Sequence, residues 1–257
     1  MQIPMYYLTQ AAQFARNYIT RIYQLGAADT LNLYDVSGLA HFELYRALQQ
    51  AGNPQGLAVT ENGIRDQFLK QVGDAISVAQ TDAWGFGASW SSDTASLGAG
   101  VSVMASEARY LTGENAYDVY SQRWMANILG ANAWGSTFIV GDGSAVFPNC
   151  IQHQVANLAG ALNGTMGGTP VLWGAVTEGP SSVITSGVVT GMILCPADGR
   201  YPFDRFSGND GPYNPSQTAV YLDNMQSFTT TEPAIDLSAT SFLMWAWRIA
   251  GYPVESE

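Results

Sequence analysis

Lysine is almost missing from this chain of 257 residues: Lys70 is the only one, and arginine supplies the other nine cations. Acidic residues outnumber basic ones by 21 to 10, which leaves a net charge of −11. So few cations exclude a nucleic-acid or anionic-membrane surface, because phosphate binding needs clustered positive charge. Charge of either sign is scarce, at 12% of residues, while 47% are hydrophobic. That balance excludes a disordered chain. It describes one that buries much of itself, or buries surface against something else. Histidine occurs twice, as His41 and His153, so a three-histidine metal site is excluded. Cys150 and Cys195 are the only cysteines. They admit one bridge, but sequence does not show whether their Cα atoms are close enough. No apolar run is long enough to span a bilayer. The opening MQIPMYYLTQ lacks a basic region followed by an apolar stretch, so it is not a signal peptide. A secreted protein whose leader had been removed would read the same way. There is no phosphate-binding glycine motif, no zinc-type Cys/His cluster and no G-x-S-x-G elbow. No linker or low-complexity tract interrupts the chain, and a single domain over 1–257 is expected.

What is present is mostly helical. Leu8, Ala12, Ala15, Ile19 and Ile22 recur at three- and four-residue steps and form one apolar stripe, with Gly26 as a stop. The same reading predicts helices over 36–50, 63–79 and 116–129, and one that begins after the cap-like cluster Ser91 to Thr94. His41 falls in a helical stripe and reads as a structural histidine. Glu43 and Glu107 fall mid-helix, where a solvated carboxylate is expected. A last helix is expected to open at Glu232-Pro233, since proline suits the first turn and a carboxylate there caps free N–H groups. Residues 131–230 are different, being rich in Gly, Pro, Asn, Ser and Thr. A short helix near 152–162 and a strand pair over 182–194 are the only regular elements expected there. Long ordered loops are usually functional, so the site is sought in this region.

The segment YLDNMQSFTTTEPAIDLSA, from Tyr221 to Ala239, carries the decisive pattern. An aromatic is followed two residues later by Asp223, then by Phe228, then four further on by Glu232, with small residues behind. The segment resembles the second signature of glycoside hydrolase family 9, the cellulase family with an (α/α)6 toroid. Ser238 stands where that family has asparagine. A second segment, from Phe138 through Pro148 to His153, resembles the first signature, with Gln154 in place of the family's arginine. ILGANAWG, from Ile128 to Gly135, is similar to the family's Leu-Gly-x-Asn-x-x-Gly turn. The resemblance is strong over about residues 84–250 and holds in helix order over residues 1–83.

The resemblance implies an all-α fold, part of an (α/α)6 toroid with about six or seven helices and long irregular loops. It also implies hydrolysis of β-1,4-glucosidic bonds by inversion, with Glu232 as general acid and Asp223 supporting it. His153, Gln154, Tyr221, Trp134 and Trp173 become the expected sugar contacts. No Asp-Ala-Gly-Asp motif for water activation is present. Gly73-Asp74-Ala75 is the nearest string and reads as a surface position on a helix. The chain is therefore expected to correspond to a C-terminal portion of such a domain and to be inactive alone. Its partner would be the missing helices, or a second copy, through an exposed apolar edge. A non-catalytic carbohydrate-binding or truncated inactive protein is the main alternative, and a relative acting on glucosamine-containing chains is another. No organic cofactor is implied. Many family members carry structural Ca²⁺, and the oxygen-rich loop Phe206 to Asn214 holds suitable ligand types at a spacing that matches no defined calcium loop. The family also implies a secreted protein acting on extracellular glucan.

Overall fold

In the computed structural model, the residues described here are 3–26, 29–90, 93–140, 173–181, 205–206, 219–221 and 227–251. Helix α1 spans Met5–Arg21. A 3₁₀ turn at Tyr23–Leu25 follows, closed by Gly26 at φ 71°. Helices α2 (Ser37–Gln50), α3 (Glu61–Thr81), α4 (Thr94–Thr112) and α5 (Asn115–Ile128) come next. One helical turn, α6, covers Phe228–Thr231, and α7 covers Ile235–Ala250. The only paired strands among the described residues are two-residue pieces, β1 (Arg205–Phe206) antiparallel to β2 (Ala219–Val220).

The expected helices that fall on described residues are present: α2, α3 and α5 differ from the expected bounds by at most two residues, and α1 ends at Arg21, before the 3₁₀ turn that Gly26 closes. The exception is the last. Glu232 does not open α7 but closes α6, its N–H donating to the Phe228 carbonyl at 2.9 Å. Pro233 follows in an extended link that bridges to Thr177. The helix therefore starts two residues after the proline, at Ile235.

Helix α4 is the hub. It packs on α2, α3, α5 and α7, while α1 packs on α2 and α2 on α3. Its sequence explains why: TASLGAGVSVMASEA has small residues on every side and no polar face. A helix apolar all round belongs inside. Every residue from Thr94 to Ala108 is buried. Small side chains let neighbours come close. A Cβ added at Gly100 would overlap the carbonyl oxygen of Leu31. Serines inside this helix are satisfied locally, with Ser102 and Ser106 bonded to Ser121 of α5.

Burial overturns one expectation. Glu107 is not solvated but fully buried, and neither carboxyl oxygen has a hydrogen-bond partner among the described residues. Desolvation raises its pKa well above the usual range, so it is held as the neutral acid. The mid-helix reading failed because α4 has no solvated face. Glu43 is exposed, as expected, and pairs with Arg46 at 2.9 Å. His41 is buried on α2, as the helical stripe predicts, with Nδ1 2.8 Å from Oε1 of Gln71. Asp74 is exposed on α3 and accepts a hydrogen bond from the Tyr23 hydroxyl.

Candidate active site

The turn that follows α5 is built by Asn132. Its side-chain oxygen accepts from the Trp134 N–H at 3.1 Å, and its amide donates to the carbonyls of Asn127 and Ser136 at 2.7 and 2.8 Å. Gly130 and Gly135 both have positive φ there, at 118° and 58°. This is the physical content of the Leu-Gly-x-Asn-x-x-Gly pattern. The turn delivers Phe138–Val140 into the core, where the Phe138 N–H donates to the Ile128 carbonyl at 3.0 Å.

The segment 173–181 then ties four parts of the molecule together with backbone hydrogen bonds. Thr177 donates to Phe138 at 3.0 Å, and Glu178 donates to the Glu232 carbonyl at 3.1 Å. Gly179 donates to Thr230 at 3.2 Å, and Ala95 at the start of α4 donates to the Glu178 carbonyl at 3.1 Å. Ser181 exchanges bonds with Val220 at 2.9 and 2.8 Å. The hydroxyl of Thr94 adds a bond to Pro180 at 2.9 Å. Gly179 sits at φ 82°, with the α4 N-terminus packed against it.

This stitching gathers carboxylates. Glu232 is exposed at the end of α6, and Asp236 is exposed in the first turn of α7. Glu178 lies beside them, half-buried, and is hydrogen-bonded to Asp93. Burial first, then the Asp93 hydrogen bond, then the charges of Asp93, Glu232 and Asp236 push Glu178 up to about 9. At neutral pH Glu178 therefore keeps its proton. Asp93 has the left-handed φ of 46° that non-glycine residues rarely adopt, and its side chain makes no cap bond to α4. Backbone strain of this kind gathers at functional positions. Tyr34 faces the same group, and its hydroxyl pKa is raised chiefly by the charge of Asp93.

Sequence reasoning missed Glu178, Asp93, Asp236 and Tyr34. Asp93 looked like a helix cap because it sits in Ser-Ser-Asp-Thr before α4. Glu178 belongs to no motif that had been read. The available signal was local: Glu178 precedes Gly179-Pro180 in the loop-rich third of the chain, where a site was sought.

The expected site residues fall into three groups. Glu232 and Trp173 both lie at the surface. Trp173 is 70% exposed and helps line a cavity of about 410 Å³ with Pro233, Ala234, Ile235 and Ser238. Ser238, at the position of the family's asparagine, accepts from the Val176 N–H at 3.4 Å and donates to the Ala234 carbonyl at 3.0 Å. Tyr221 and Trp134 are core residues instead. Both are buried, and their rings meet edge-on at 6.5 Å. Phe138 completes the packing, 5.0 Å from Tyr221. Packed in the core, the Tyr221 and Trp134 rings offer no sugar-stacking face. Asp223, His153, Gln154, Cys150 and Cys195 lie outside the described residues. So do the helix expected near 152–162, the strand pair over 182–194 and most of the oxygen-rich loop after Phe206. Among the described residues, no group of three or more His, Cys, Asp or Glu side chains is arranged to hold a metal ion.

The family model for glycosyl hydrolase family 9 matches residues 5–245. The chain belongs to that family. A solved structure, described as a GH family 9 endoglucanase J30, superimposes with a TM-score of 0.59 at 16% identity. The match covers 93% of this chain and 39% of that one, so the chain spans about two fifths of the relative's length. At that identity the likeness establishes the fold: the seven described helices form part of an (α/α)6 toroid. No curated protein sequence matches the chain.

Proposed function

We propose that the chain takes part in inverting hydrolysis of β-1,4-glucosidic bonds in a cellulose-like polysaccharide, with Glu232 as the general acid and Asp223 supporting it. Family membership supports the hydrolytic chemistry. The single observation that carries the site is that Glu232 stands at the surface among Glu178, Asp93 and Asp236. Cleavage of a glycosidic bond needs one carboxyl group that gives a proton to the leaving oxygen. Inversion needs a second that takes one from water, roughly 6.5–9.5 Å away. An acid works at neutral pH only if it is still protonated there. Glu232 lies within electrostatic range of Glu178, which does hold its proton. That observation favours a second assignment, with Glu178 as proton donor or as the reservoir that reprotonates Glu232.

The water-activating aspartate motif is absent from the 257 residues. The base is therefore proposed to come from residues outside this sequence. The acidic surface suits a neutral glucan, which needs no cations. The setting proposed is extracellular glucan degradation. No described helix is long and apolar enough to cross a membrane. His153, Gln154 and Trp173 are kept as the proposed sugar contacts.

The test mixes the isolated chain with cellohexaose, and reads heat by calorimetry and product by reducing-sugar assay. Binding without product supports an external base. Product with α-anomeric configuration by NMR assigns the base to Asp93 or Asp236 within the cluster. Neither binding nor product, with chitosan hexamer bound instead, moves the substrate to glucosamine-containing chains.

A further inference from the structure

Helices α1 and α2 leave a cavity of about 580 Å³ between them, and of the residues grouped with Glu232 above only Tyr34 lines it. That is an ordinary size for a small-ligand site. Its walls are apolar, from Phe14 on α1 to Val36, Ala40 and Leu44 beside it. Four polar side chains converge on it: Tyr18, Asp35, Ser37 and His41.

Their hydrogen bonds show what they have left to offer. The Asp35 carboxylate accepts from the Tyr18 hydroxyl at 2.6 Å and the Asp29 N–H at 3.2 Å on Oδ2, and from the Ser37 N–H at 2.8 Å on Oδ1, which leaves Oδ1 the more available oxygen. The amide nitrogen of Gln71 donates to the Ser37 hydroxyl at 3.1 Å, which leaves its carbonyl oxygen toward His41 at 2.8 Å. Nδ1 of His41 is therefore the protonated nitrogen, and Nε2 carries a lone pair. His41 is only 2% exposed, and burial lowers its pKa, so the ring stays neutral. Nδ1 is engaged by Gln71, and among the described residues no group bonds to Nε2 of this cavity-lining histidine. The cavity thus presents acceptors and one carboxylate, with no cation among its lining residues. Such a set rejects anions and favours a ligand rich in hydroxyl donors.

Two aromatic rings stand open at this cavity: Phe14 is 70% exposed and Tyr34 is 77% exposed. Ring faces of this kind pack against the C–H face of a sugar. Tyr34 also links the cavity to the carboxylate group, since it lines the one and feels the charges of Asp93, Glu178 and Asp236 in the other.

We propose that the cleft between α1 and α2 is a subsite for a neutral pyranose unit, continuous through Tyr34 with the carboxylates around Glu232. The inference rests on the glycan-hydrolysing reading and extends it to residues outside both family signatures. Phe14 and Tyr34 supply the stacking surface, and His41 Nε2 with Asp35 receives the sugar hydroxyls.

Calorimetry of the full chain with cellotetraose tests it, with p-cresol as a phenolic probe. Phe14→Ser and Ala40→Trp both change exposed positions, so the fold, checked by circular dichroism, is retained. Each is expected to weaken cellotetraose binding about tenfold, the scale of one lost stacking contact or a blocked cleft. Cellotetraose binding equal to wild type in both variants overturns the subsite while leaving the glycan reading intact. Groove-dependent binding of p-cresol with none of cellotetraose also overturns it and assigns the cleft to a different ligand. Failure of the glycan reading itself is read separately, from hydrolysis by the complete catalytic assembly and its Glu232 variant.

Discussion

At the scale of single residues, two glutamates are held neutral chiefly by burial, one beside a hydrogen-bonded carboxylate and one without, and that difference decides how each responds to change. Glu178 is raised from an ordinary carboxyl value near 4.5 to about 9, by burial and by Asp93. A raised carboxyl pKa means that the folded state binds the proton more tightly than the unfolded one. The stability this contributes is complete below about pH 4.5 and is lost as pH rises through about 9. The melting temperature should therefore fall from pH 5 to pH 9, and Glu178→Gln should make that slope shallower. An unchanged slope in the variant would show that Glu178 is not the group titrating. Glu107 adds to the slope with the same sign but sits in the core with no hydrogen-bond partner among the described residues. Replacing an unpartnered buried carboxyl by a hydrocarbon of similar size removes a desolvation cost. Glu107→Leu should therefore raise stability at pH 7 by about 1–3 kcal/mol, measured by urea denaturation. A destabilised variant would mean that the carboxyl has a partner the geometry does not reveal.

At the scale of elements, the legible and the illegible parts of this sequence divide along a physical line. Helices α1, α2, α3 and α5 each bury one stripe, so the three-to-four spacing of residues such as Leu8, Ala12 and Ala15 was enough to find them. Helix α4 was found too, but its environment was misjudged: periodicity locates a helix and does not tell a surface helix from a central one. The start of α7 was misplaced because Glu232-Pro233 looks like a first turn. Tertiary pairing with Thr177 and Glu178 holds those two residues extended instead. The site followed the same division. Glu232 was found through its signature, whereas Asp93 and Glu178, 85 residues apart in sequence, meet only because segment 173–181 is pinned to the start of α4. No local pattern encodes that meeting. The close approach at α4 gives its own prediction. Gly100→Ala forces the Leu31 backbone outward and should cost more than about 2 kcal/mol, read from a lowered melting temperature. A neutral outcome would show that the 30–35 loop moves freely away from α4.

At the scale of the whole molecule, scarce charge and abundant apolar residues first suggested a chain that buries surface internally or against a partner. Helix α4 accounts for the first, being covered on all sides. Helix α7 points to the second. Ile235, Phe242 and Ile249 recur every seven residues, and each is at least 76% exposed. They form one open apolar stripe along the helix. Exposed stripes of this kind mark surfaces that associate. Light scattering is expected to report self-association at micromolar concentration, and Phe242→Asp is expected to shift the chain toward monomer. A wild-type chain that is monomeric at all concentrations would remove this inference. The chain's family and its toroidal helix order are established, and the chemistry assigned to Glu232 is the central claim that follows from them. Turnover of unactivated cellohexaose by the complete catalytic assembly, with wild-type chain and with Glu232→Gln, tests it most directly. Loss of a positioned general acid is predicted to lower the rate by about 10²–10⁴ with folding intact. Turnover by the variant at the wild-type rate would contradict the assignment and pass the acid role to Glu178.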